Sequence, residues 1–188
     1  MRAAALWFPD WPVQAARLDS GDELAGPIAI AAQHRVKVCS HAARQLGIRR
    51  GMRVRNAQAV APELTVVDDN PDRDGRMFAS LAASFDEVAA SVEVLRPGLV
   101  VVDVEAAGRF HGGSEDKALE MLIDAASRRG IDAMAGAADE IATALIAARA
   151  SRVVAPGGSA EFLAAQPLGS LVAEESLATD TDTVRALG

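Results

Sequence analysis

The sequence holds a single cysteine, Cys39, among 188 residues. One thiol excludes an intrachain disulfide framework, a four-thiolate zinc site and a CxxC redox pair. No basic N-terminal patch leads into a long apolar stretch, and no apolar run reaches the ~18 residues of a membrane span. Neither a signal peptide nor a membrane anchor is expected, and a reducing cytoplasm is the expected setting. GxSxG, P-loop and GxGxxG sequences are missing as well. The three histidines, His34, His41 and His111, stand at no metal-ligand spacing. Asp68 to Gly75 (DDNPDRDG) fails as a calcium loop: started at Asn70, its second residue is proline and its twelfth is Leu81, where a bidentate glutamate is needed. These acids read as helix caps and solvated groups. No metal and no cofactor are expected.

What is present suffices for an ordinary folded body. Half the residues are hydrophobic and 24% are charged, at a length that makes one large domain or two small ones. A net charge of −7 and a pI near 5.0 speak, as averages, against a nucleic-acid binder. The average hides a local excess. Between His34 and Arg55 lie Arg35, Lys37, Arg44, Arg49, Arg50, Arg53 and Arg55, while all 26 acidic residues lie outside that segment. Such asymmetry points either to a polyanionic partner or to a solvated basic face; six arginines among the seven favour phosphate, because the guanidinium presents a planar fork of donors.

Hydrophobic patterning gives the order of elements. Ala3 to Phe8 reads as a buried strand stopped by Pro9 and Pro12, followed by strands at Ile28 to Ala32, Val36 to Val38 and Leu64 to Val67. Short helices are expected from Ser40 to Gly47 and from Asn56 to Ala61. Met77, Leu81, Phe85 and Val88 share one face of a long helix expected from Arg73 to about Ala90. Val92 to Leu95 and Leu99 to Val104 form a hairpin turning at Gly98. Ser114 caps the next helix, which runs toward Gly130; Ile131 to Met134 is a strand, Glu140 to Ala150 a small-residue helix, Val153 to Val154 a short strand, and Ser159 to Ala165 a last helix. With the segment after the first strand lifted out, the order is βαββαβ, so the fold class is α+β with a ferredoxin-like core.

Carboxylate chemistry rests on Asp10, Asp103 and Glu105. Asp103 and Glu105 stand two apart at an expected strand end, on one face, where they serve either as an acid pair or as solvated groups.

Several stretches together carry a resemblance. Ala5 to Ala16 (ALWFPDWPVQAA), Val38 to Met52 (VCSHAARQLGIRRGM), Ala57 to Leu64 (AQAVAPEL) and Val92 to Asp103 (VEVLRPGLVVVD) follow the order and spacing of Y-family DNA polymerases. The likeness continues through Phe110 to Gly113, Gly136 to Ala150 and Pro156 to Phe162, and within the family it is greatest to the inactive ImuB group of damage-induced mutasome subunits. The resemblance implies a palm from residues 1–13 and 70–155, fingers from 14–69, and a helical thumb begun at 156–188 and cut short.

The same resemblance implies departures at the chemistry. The family's first metal-binding aspartate falls on Trp7, and the adjacent Asp and Glu of its second acidic motif fall on Gly98 and Leu99. Of the nucleotide-contacting Tyr-x-x-Arg, His41 and Arg44 remain, and a later lysine falls on Leu145. Magnesium needs hard oxygen ligands, which Trp, Gly and Leu side chains do not supply. The expectation is therefore a chain that is not an enzyme, a pseudo-polymerase that binds DNA weakly and without sequence preference through Arg35 to Arg55. In the full-length protein it would serve as an adapter for a sliding clamp, a RecA-like accessory protein and an error-prone replicative-type polymerase. Two alternatives stand beside it: an active translesion polymerase using Asp10, Asp103 and Glu105 as substitute ligands, and a ferredoxin-like protein-interaction module without DNA binding.

Overall fold

An unbroken apolar run suits a strand buried on both faces, and Ala3–Trp7 forms such a strand, β1, inside a four-stranded sheet. A computed structural model of the chain describes residues 2–167 together with 169 and 170; the thumb expected at 156–188 lies largely outside the described residues. The sheet order is β5-β6-β1-β7, with β5 at Val92–Arg96, β6 at Leu99–Asp103 and β7 at Met134–Ala138. All three pairings are antiparallel, as the split βαββαβ arrangement requires. Trp7 stands opposite Leu99 on one side and Met134 on the other. β5 is an exposed edge whose register slips between Val94 and Arg96, and Gly98 takes the positive φ of 88° that the turn after Pro97 needs.

Two compact units divide the chain: residues 1–8 with 82 onward, and residues 9–81. In the first, α5 (Val104–Phe110) and α6 (Glu115–Ser127) follow β6, and α7 (Ile141–Arg149) packs on β1 and β7. Small residues let α7 approach: Ala3, Ala5, Ala138, Ala144, Ala147 and Ala148 are buried together, and a Cβ at Gly136 would overlap the backbone of Ala147 and Ala148. Val153 bridges to Ala137 alongside β7, and α8 (Ser159–Ala164) follows.

The second unit is a three-stranded sheet, β3-β2-β4, from β2 (Ile28–Ala32), β3 (Arg35–Cys39) and β4 (Thr65–Asp68), with β2 antiparallel to β3 and parallel to β4. With it fold α1 (Trp11–Ser20), α2 (His41–Gln45), α3 (Val54–Val60) and most of α4 (Pro71–Ala83). Ser40 caps α2 by accepting from Ala43 N, and its hydroxyl also accepts from Ile28 N.

The first strand stops before Pro9, and residues 11–20, for which no element was expected, form α1, because proline is tolerated in a helix's first turn, where its missing N–H has no partner to lose. Four expectations need correction. α5 occupies a stretch read as strand end and loop. The helix expected from Arg73 to Ala90 ends at Ala83 and tightens into a 3-10 turn over Ser84–Glu87; its buried face carries Phe78 rather than Met77. The strand expected at Ile131 to Met134 lies instead at Met134–Ala138, where Gly136, a poor strand former, is required by the close approach of α7. Asp74, read as solvated, is buried; it pairs with buried Arg73 at 2.7 Å, and its carbonyl accepts from Trp11 Nε1 at 2.9 Å. Desolvation pushes its carboxyl upward against the pull of Arg73.

Arg2, 8% exposed, ties the first unit together: it donates to Glu115 and Asp139, each at 2.7 Å, and to the Val154 carbonyl at 2.6 Å. The Gly157 N–H, at 2.6 Å, and the Arg2 guanidinium hold the Asp139 carboxyl below the usual range. A carboxylate held low in the folded state stabilises above its unfolded value, about 4, and that contribution is lost as pH falls through the folded value. Wild type is thus expected to exceed Asp139→Asn in stability near neutrality, and the gap to close in acid; urea midpoints measured across pH check this, and a gap widening in acid contradicts it. Gly136→Ala is expected to destabilise by about 3 kcal/mol or more, since the clash is with backbone; a chemical-denaturation midpoint close to wild type would refute the close approach.

Candidate nucleic-acid interface

The seven basic residues between His34 and Arg55 all fall in the second unit. Arg35 and Lys37 alternate along β3 and so project to one face; Arg44 is on α2, Arg49 and Arg50 are on the following loop, and Arg53 and Arg55 enter α3. Backbone bonds lay residues 51–54 along β3: Gly51 N donates to Val36 O, Val36 N to Met52 O and Val54 N to His34 O. That pairing sets Arg35 opposite Arg53 in an antiparallel bridge.

Two of the seven charges are compensated locally. Lys37 pairs with Asp69 at 2.7 Å. Arg44 grips Asp10 with both terminal nitrogens, each at 2.8 Å, and donates to the Cys39 carbonyl at 2.6 Å. The hydrogen bonds to Asp10 push the Arg44 guanidinium further above its usual value. Asp10 opens α1 in a left-handed conformation, φ 51°, and leaves the helix end without a side-chain cap because its carboxylate is held by Arg44. Arg35, Arg49, Arg50, Arg53 and Arg55 are exposed and pair with no carboxylate among the described residues; Arg35 donates to Gly51 O and Arg49 to Arg44 O and Ile48 O. His41 is exposed and shares a hydrogen bond with Gln45. Cys39 is buried, and burial pushes its thiol upward, so it is a packing residue.

Two clefts open on this unit. One is lined by Asp10, Lys37, Cys39, Arg44, Arg49 and Arg50. The other is lined by Gln33, His34, Arg35, Arg53, Arg55 and Gln58. The amides and imidazole of the second cleft carry no sequence motif; the available signal was the three-residue gap between two expected strands, which places Gln33 and His34 near a hairpin tip.

In the first unit, the positions that the resemblance sets against metal ligands lie together. Trp7 faces Leu99 across β1 and β6, and Phe8 N donates to Gly98 O at 3.0 Å. Leu99 is fully buried, and the Arg149 guanidinium lies 5.2 Å from the Trp7 ring centroid, a stacking that sequence spacing could not disclose. An indole, a hydrogen and an isobutyl group offer no anionic oxygen, and the adjacent guanidinium repels a divalent cation; these residues do not fit a magnesium pair. Asp103 and Glu105 are not two residues of one strand as expected. Asp103 ends β6 and accepts from Ala106 N at 3.0 Å as the cap of α5, whereas Glu105 sits in that helix and pairs with Arg109 at 2.6 Å. No group of three or more His, Cys, Asp or Glu able to hold a metal occurs among the described residues. None of the described helices is long and apolar enough to cross a membrane.

Comparison with known proteins places this geometry. The impB/mucB/samB family model matches residues 7–149. DNA polymerase IV of Pseudomonas syringae pv. syringae (strain B728a) is 28% identical over 159 residues, covering 79% of this chain and 45% of that protein, so the chain spans less than half the length of this relative. Among solved structures, the insertion ternary complex of Dbh DNA polymerase superposes with a TM-score of 0.78 at 17% identity, covering all of this chain and 58% of that one. DinB from Sulfolobus solfataricus does so at 0.69 and 16% identity, covering all of this chain and 56% of that one. The expectation that the chain is not an enzyme is overturned here: the curated relative is named a DNA polymerase, and the similar structures include polymerase complexes. That expectation rested on three aligned side chains, too narrow a base against a match running from residue 7 to residue 149. The palm-like sheet, the inserted basic unit and the family match together make this chain a member of the impB/mucB/samB family, the Y-family DNA polymerases.

Proposed function

We propose that the chain forms the palm and fingers of a protein of damage-induced, error-prone translesion synthesis, and that it holds DNA by the sugar–phosphate backbone through the basic segment from Arg35 to Arg55. The observation carrying this reading is the charge partition: five exposed arginines without carboxylate partners among the described residues gather on one unit of an otherwise acidic chain. Phosphate contacts of this kind give affinity without sequence preference and with a steep dependence on salt. The similar solved structures include an insertion ternary complex and a post-insertion binary complex of Dbh DNA polymerase, which accords with a DNA-holding role for the shared fold. Residues 1–13 and 70–155 serve as palm and residues 14–69 as fingers. Contacts to a sliding clamp, a RecA-like accessory protein and an error-prone replicative-type polymerase complete the proposed assembly.

Fluorescence anisotropy with a labelled primer–template tests the reading. Binding is expected to be insensitive to sequence and to weaken steeply with salt, and Arg49→Glu/Arg50→Glu is expected to cost about tenfold at low salt. Salt-insensitive or undetectable binding would instead favour a ferredoxin-like module that engages only protein. Asp10→Asn, which removes the carboxylate compensating Arg44, is expected to raise affinity about threefold at low salt, an effect that fades as ionic strength rises. Unchanged affinity would mean that Arg44 does not face the nucleic acid.

A further inference from the structure

We propose that Asp10 is a latch on Arg44: when a phosphate group takes the guanidinium, the Asp10 carboxylate releases it and moves to cap α1. The inference rests on the reading that this unit meets phosphate, and it adds a two-state element to that reading.

The held state is the one observed. Arg44 donates to both carboxylate oxygens of Asp10 at 2.8 Å and to the Cys39 carbonyl at 2.6 Å. Asp10 makes this contact from a left-handed backbone, φ 51° and ψ 38°, although the residue before a helix is ordinarily extended. Few residues other than glycine hold that conformation without cost, so the backbone relaxes on leaving it. The first turn of α1 is wound tight as well. Val13 N donates to Asp10 O at 2.7 Å, three residues back, while Gln14 N reaches the same carbonyl, at regular α-helix spacing, only at 3.3 Å. Pro12 has no N–H, so Val13 supplies the amide that a side chain at position 10 would cap. Extending the Asp10 backbone passes the Val13 N–H to the carboxylate and leaves the carbonyl to Gln14. Both arrangements satisfy the same two amides; they differ in whether Arg44 is held by the protein.

The surroundings supply the competitor's advantage. Lys37, Arg44, Arg49 and Arg50 line one cleft with Asp10, and Lys37 is offset by Asp69. Three guanidinium groups thus share the cleft with one carboxylate, and the Arg44 side chain is still 41% exposed. A phosphate carries more acceptor oxygens and more charge than a carboxylate, so it competes for Arg44 with Arg49 and Arg50 assisting. Arrival of phosphate is thereby coupled to the geometry of the first turn of α1.

The test is an NMR titration of the isotope-labelled full chain with inorganic pyrophosphate, in which backbone carbon shifts at position 10 distinguish left-handed from extended conformation; anisotropy with a labelled primer–template runs alongside. Pyrophosphate is expected to move Asp10 to extended values and to shift the Val13 amide with it. Arg44→Gln, which removes the holder, is expected to give the same shifts with no ligand present. Asp10→Ser, which can cap but cannot hold a guanidinium, is expected to bind pyrophosphate about threefold more tightly than wild type. Asp19→Asn makes the same change in net charge at an exposed position of α1 and is expected to stay within about 1.5-fold. A left-handed position 10 in Arg44→Gln, or a pyrophosphate complex with Asp10 unmoved, would overturn the latch. So would the absence of pyrophosphate binding in both wild type and Asp10→Ser. If the latch responds to pyrophosphate as expected while primer–template fails to bind, the latch stands and the DNA-binding reading falls.

Discussion

The backbone of α7 lies so close over β7 that position 136 has no room for a methyl group, and much of the first unit follows from that approach. Ala144, Ala147 and Ala148 settle on Ala3, Ala5 and Ala138, which seats β1 at the centre of the sheet with every residue from Ala3 to Leu6 buried. β1 in turn brings Trp7 against Leu99 and Phe8 against the Gly98 carbonyl. Close packing of small residues gains dispersion contacts at many points at once and leaves little freedom for the sheet to slide. The strand register at Trp7, Gly98 and Leu99 is thus fixed, with the Arg149 guanidinium stacked over the Trp7 indole.

Charge is organised by the same economy of position. A chain of net −7 keeps its carboxylates out of one segment of the inserted unit, apart from Asp10 and Asp69, which reach in to hold Arg44 and Lys37. Those two ion pairs do structural work: the first joins the start of α1 to α2, the second joins β3 to the end of β4. The arginines left over are the ones on the hairpin, on the loop after α2 and at the start of α3, where solvent reaches them. Fields from such a cluster extend about 8 Å at physiological ionic strength, so an overall negative charge does not cancel them nearby.

Much of the framework was legible in the sequence because local rules decided it. β1, β2 and β4 are apolar runs bounded by proline or polar residues; Pro97 and Gly98 form a turn by their own chemistry; Ser114 caps α6 by accepting from Lys117 N. The misreadings came where tertiary contact overrode local preference. Gly136 in β7 is dictated by the α7 backbone, which leaves no room for a Cβ there, and Asp74 was taken for a solvated acid because nothing near it in sequence discloses the burial of Arg73 beside it. In the candidate site, the cluster of positive side chains was visible as composition. Its division was not, since the partner of Arg44 lies 34 residues away and that of Lys37 lies 32 away. The Trp7–Arg149 stacking was hidden for the same reason, as its two members lie far apart in sequence.

The palm-like sheet also has two margins, and each is finished differently. On the outer side of β5 the register slip and the exposed charges of Glu93 and Arg96 interrupt what would otherwise be a regular row of hydrogen-bonding groups beside Val94 and Leu95. On the outer side of β7 the segment around Val153 is already docked, with Ala137 N donating to Arg152 O and Val154 N donating to Ala137 O. A newly arriving extended peptide therefore meets a kinked, charged border at one end and an occupied border at the other, which protects the sheet from growing by strand addition into fibrous assemblies.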